Sequence, residues 1–237
     1  MEILHKSNII VHIIAGSIAL ILGIIGFISA KGRSLHNKNG RAYIIVMIVV
    51  IVTGFFGVFI FKRNLFLLMV TSLSGYSAFS GYRILKLKSN IPKKIDIIVA
   101  IFTMSTALYF LYYFQKIGMI WSTGVTYSLV GALFFLISYD LLRYIIPRKK
   151  YKNLWIYEHI YKMTVSFNAI LSAFTGTVFV EYKPYSQFVP SIFVTMIAIG
   201  FMVQVYRKQH RLKRRKPRAS RSYQKTVPQK SMMSKVE

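Results

Sequence analysis

A chain of 237 residues that is 54% hydrophobic carries 32 Lys and Arg against 6 Asp and Glu, a formal net charge of +26. Its apolar residues fall in long runs and not in amphipathic periods, which argues against a soluble domain, and it lacks the alternating polarity of transmembrane strands about 10 residues long. The absence of cysteine excludes disulfides, thiolate metal sites, iron–sulfur ligation and cysteine nucleophiles.

Seven apolar runs follow in chain order: Ile9 to Ala30, Ala42 to Phe61, Leu65 to Tyr82, Ile95 to Phe114, Trp121 to Leu142, Leu154 to Val180 and Pro190 to Tyr206. The first is too long for a signal-peptide core of about 7 to 15 residues, and no basic region leads into it, so it reads as a retained helix. Each run reaches or approaches the roughly 20 residues needed to cross a hydrocarbon core about 30 Å thick. Because the backbone must satisfy itself in lipid, the runs are predicted as helices. The expected fold is an all-α integral membrane bundle of seven transmembrane helices, residues 1–206. A polar, basic tail, residues 207–237, is expected to be disordered and cytoplasmic.

The basic residues fix an expected orientation. The N-terminus and the second, fourth and sixth connections hold 5 Lys and Arg, whereas the first, third and fifth connections and the tail hold 26. Retention of such residues on the cytoplasmic side puts the N-terminus outside and the C-terminus inside. The charge is therefore read as a topology signal, and the tail as a contact for anionic lipid headgroups. No specific nucleic acid is expected, since the tail lacks interleaved aromatic residues beyond Tyr223.

Small residues at helical spacing mark close helix approach. They occur in the first span (Ala15, Ala19, Gly23), the third (Thr71, Ser74, Gly75, Ala78, Gly81) and the sixth (Ser166, Ala169, Ala173, Gly176). These three spans are expected inside the bundle, with the second and fourth facing lipid.

Ionisable groups inside a membrane are expensive and become functional candidates by default. His12 lies near the outer end of the first span. His36, Asp96, Asp140, Glu158, His159 and Lys162 lie at the cytoplasmic ends of their spans or in the adjoining turn. Glu158 and Lys162, four residues apart, are spaced for an ion pair. His36, His159 and Glu158 are the candidate catalytic group, with imidazole as proton carrier. The same three with Asp140 are the candidate ligands for a divalent metal. Haem is the other cofactor considered. Depth arithmetic at 1.5 Å per residue separates His12 from His159 by about 17 Å, so one iron cannot bridge them.

The string His12-x3-Gly16, Gly23, Lys31-Gly32-x3-His36-x3-Gly40-Arg41-x-Tyr43, with Trp155-x3-His159-x3-Met163-x2-Ser166 later in the chain, resembles a bacterial family of polytopic inner-membrane proteins of domain-of-unknown-function type. The resemblance implies a multi-helix fold in a bacterial inner membrane and no assigned activity. Three functions stay open at this level: a proton- or redox-linked membrane activity, a small-solute transporter, and a non-catalytic assembly or structural factor.

Overall fold

The computed structural model describes residues 1–61, 66–117 and 123–224, with side chains omitted at 115, 117 and 212–224. Its elements are α1 (Glu2–Ile28), α2 (Ser34–Phe59), α3 (Phe66–Leu87), α4 (Lys94–Ile117), α5 (Thr123–Leu142), the one-turn α6 (Arg148–Tyr151), α7 (Leu154–Val178) and α8 (Tyr185–Gln224). Short 3-10 turns follow α5 and α7, and no strand occurs among the described residues. Residues 62–65, 118–122 and 225–237 lie outside the described residues, and with them the second expected connection, part of the fourth, the starts of the third and fifth expected spans and the end of the expected tail.

Five of these helices are long and apolar enough to cross a membrane: α1, α2, α4, α5 and α8. The remaining long helices, α3 and α7, are too polar on the same measure, and the packing gives the reason. They press against each other along most of their lengths, with α1 and α2 on one side and α4 and α5 on the other. Polar groups such as Ser72, Ser74, Ser77, Glu158, Lys162 and Ser166 on them are therefore buried against protein, while apolar side chains such as Ile13, Ile21, Ile98, Ile101, Ile192 and Phe193 on α1, α4 and α8 remain exposed. Outward apolar surface of this kind is the reverse of a soluble fold's pattern.

Two cores hold the helices. One joins α3, α4, α5 and α7 through Met69, Leu73, Tyr76, Phe110, Leu133, Leu136 and Ala169. The other joins α1, α2 and α7 through Ala19, Tyr43, Met47 and Ile170. Close approach depends on glycine at defined points: a Cβ on Gly81 would lie 3.0 Å from Lys162 Cβ, and one on Gly54 would lie 2.6 Å from Thr71 Oγ1.

The expected placement of the first two spans is reversed. Helix α1 buries only Ala15 and Ala19, whereas α2 buries Tyr43, Met47, Val50, Thr53, Gly54, Gly57 and Val58. A stripe of small residues records one line of close contact, and the isoleucines around the rest of α1 keep it peripheral. Two boundaries also move. The basic turn from Lys31 is helical from Ser34, so Lys38 and Arg41 ride on the first turns of α2; Gly32 alone supplies the positive φ, at +79°. The stretch from Arg207, expected to be disordered, continues α8 as helix through Gln224.

Two compact units divide the chain, Met1–Ala198 and Ile199–Glu237. Within the second, the Tyr206 and His210 rings lie 4.3 Å apart, one turn along α8.

A buried ion quartet at the candidate functional site

Antiparallel packing brings one set of helix ends together, and the side chains there do not solvate themselves in isolation. Lys162, on the third turn of α7, is 1% exposed. Its ammonium makes its closest ion pair with Asp140 of α5, and its sequence neighbour Glu158 is a more distant partner at 3.6 Å. Arg143, one turn beyond Asp140, bonds Glu158 at 3.1 Å and lies 3.6 Å from Asp140. Two acids and two bases thus form a net-neutral quartet between α5 and α7.

Tyrosines complete the shell. Tyr76 of α3 donates to Asp140 Oδ2 at 3.0 Å, and Tyr139 donates to Glu158 Oε1 at 2.7 Å. Burying an ion pair stabilises only when further hydrogen bonds satisfy the remaining lone pairs, and the two phenols do this. Tyr151, on α6, is buried, and its hydroxyl lies close enough to Glu158 to feel its charge but makes no hydrogen bond of ordinary geometry among the described residues. Burial first, and then the Glu158 carboxylate, raise its pKa above the ordinary phenol value.

The histidines occupy different positions. His159 Nδ1 lies 2.9 Å from the Gly81 carbonyl. A carbonyl only accepts, so Nδ1 carries the proton and Nε2 keeps its lone pair. His36 Nδ1 pairs with Ser29 Oγ at 3.1 Å, near the end of α1. Lys31 closes that end by donating to Gly26 and Phe27 carbonyls at 2.6 and 2.8 Å, the expected site for a cation at a helix C-terminus. Partial burial lowers its pKa. His12 lies in the N-terminal half of α1, about ten residues in from Glu2. Thr53 Oγ1 donates to the Val49 carbonyl at 2.7 Å, so it accepts from His12 Nδ1–H at 2.8 Å.

Of the candidates named from sequence, Asp140, Glu158 and Lys162 meet in one network, His159 lies beside it on α7, and His36 and His12 are engaged elsewhere. Asp96 pairs with Arg83 through two bonds of 2.7 and 3.1 Å. Among the described residues no three His, Asp or Glu side chains converge as a metal ion requires. His36, His159, Glu158 and Asp140 therefore do not fit a shared metal as arranged: both carboxylates are held by cations and phenols, and His159 Nδ1 by backbone.

Sequence reading missed Arg143, Tyr76, Tyr139 and Tyr151. Arg143 reads in sequence as one of the topology-setting charges of its connection, although Asp140-x-x-Arg143 has the spacing of a helical ion pair. No comparable signal marks the tyrosines, which are common at membrane interfaces for other reasons. Comparison with family models, with curated proteins and with solved structures returned no match to this chain.

Proposed function

We infer that the chain is a seven-span protein of a bacterial cytoplasmic membrane, N-terminus outside, that binds and releases a proton at the buried quartet. Three observations support the membrane part: the exposed apolar faces of α1, α4 and α8, the central packing of α3 and α7, and the division of basic residues, 5 against 26. The basic residues from Arg207 onward meet anionic headgroups on the cytoplasmic side.

The proton reading rests on the exact balance of two carboxylates and two cations, all buried. Protonating Asp140 or Glu158 leaves one uncompensated positive charge in a poorly solvated place. That excess loosens the hold of α5 on α7, so proton uptake and helix movement are coupled. His159, with Nε2 free to accept, is the neighbouring base on α7; His36 serves the first turn of α2.

Reconstitution into vesicles with a trapped pH indicator tests this. An imposed pH step is expected to decay faster through the wild-type protein than through Asp140→Asn or Glu158→Gln, with all three inserted equally. Decay no faster than in protein-free vesicles counts against the proposal. A second reading, a non-catalytic membrane factor, is favoured by the full hydrogen bonding of both carboxylates, which suits a helix clamp. It predicts that an apolar replacement of the whole quartet keeps the cellular phenotype.

A further inference from the structure

Beside the quartet, α3, α4 and the end of α5 line a small cavity whose polar groups come from Tyr76, Ser80, Arg83, Asp96, Asp140 and Arg143 and whose remaining wall is apolar. It leaves about 10 Å³ for the centre of a water molecule. One water needs roughly 10 to 15 Å³ on that measure and two to four polar partners. Two of the lining residues supply unmet demand: Arg143, 4% exposed, has a buried Nε–H without an acceptor, and Ser80, 8% exposed, has a buried Oγ without a partner. Buried polar groups seldom go unpaired, and an arginine N–H is among the least tolerable to leave so. The carboxylates of Asp140 and Asp96 line the same space.

We propose that this cavity is a binding site for a single water molecule, which accepts from Arg143 Nε–H and exchanges a hydrogen bond with the Ser80 hydroxyl. The water hydrates the Asp140 side of the quartet. The doubly bonded Arg83–Asp96 pair, partly exposed, lines the same cavity on the side of the α3–α4 turn. The site stands without the proton reading; its use as the proton's route depends on that reading. In that use an incoming hydronium gives one proton to the site water, and the water passes one of its own protons to the Asp140 carboxylate. One proton moves, and the water is restored.

Radiolytic hydroxyl-radical labelling of the full chain in nanodiscs reads the site directly, because radicals form where water is bound. Tyr76 and Tyr43 are matched probes, 4% and 3% exposed, each with a hydrogen-bonded hydroxyl, but only Tyr76 lines the cavity. Tyr76 is expected to be modified several-fold faster than Tyr43. Ser80→Val fills the space and should bring Tyr76 down to the Tyr43 rate, and Ser80→Ala, which keeps the space and removes one bond, should fall between. Equal slow labelling of the two tyrosines in the wild type overturns the proposal, whatever the variants do. Fast Tyr76 labelling in a protein that passes no protons in vesicles keeps the water site and rejects the proton route.

Discussion

Lys162 shows how a single residue changes meaning with its surroundings. Its nearest partner in sequence is Glu158, yet its closest ion pair is with Asp140, 22 positions away. Removing one member of a buried charge set leaves another uncompensated, at a cost of about 3 to 5 kcal/mol. Lys162→Met is expected to lose about that much in chemical unfolding in detergent, and adding Asp140→Leu should return part of it. A cost below about 0.5 kcal/mol, the level of surface changes, would show that the ammonium is solvated. Tyr151 offers a pH test. Its raised pKa means that the fold favours the neutral phenol, so its contribution is intact below the unfolded value of about 10 and is lost as pH rises above it. Tyr151→Phe should therefore flatten the alkaline fall in stability, measured as melting temperature between pH 9 and about 11.

At the level of elements, the α3–α7 contact organises the bundle, and Gly81 lies where the two helices come close. A side chain there meets Lys162 Cβ and Met163 Sδ at 3.0 and 3.1 Å, and one of these atoms sits at the root of its side chain, where it cannot swing away. Gly81→Val should cost about 1 to 3 kcal/mol by overpacking and should disturb the His159 hydrogen bond. Gly40→Ala is the control: a Cβ there meets nothing within 4 Å, so the helix should gain up to about 1 kcal/mol. Equal effects at the two glycines would contradict the packing. The buried Tyr43 hydroxyl, 2.9 Å from Ser166 Oγ, ties α2 to α7 in the same way that Tyr76 ties α3 to α5. Polar pairs thus supply helix association where lipid removes most of the hydrophobic incentive.

For the whole molecule, orientation is the property to measure. The odd connections with the tail hold 26 Lys and Arg against 5 in the even connections with the N-terminus, and a reporter fused after Glu237 should read as cytoplasmic. A periplasmic signal would invert every helix and put the quartet at the outer face. A reporter in the turn between α1 and α2, near Lys31 to Arg33, should match the C-terminal one, which also checks that the passes alternate.

How far the sequence reaches follows from what each signal depends on. Helix positions and the crowding of acids and bases at one set of ends depend on runs of apolar residues and on alternate connections, which are properties of the chain in order. Helix α1 was misplaced because small residues tell where a neighbour comes close but not how many neighbours surround a helix. The pairing of Glu158 with Lys162 was visible at four-residue spacing, while Asp140, Arg143 and three tyrosines joined them only through α3, α5 and α6. Sequence alone therefore determined an all-helical chain with apolar runs long enough for a membrane, whereas only five of the described helices meet that measure in the structure. Tertiary structure decided which charges meet, because a buried charge takes whichever partner packing brings within reach, and that distance is not written in sequence separation.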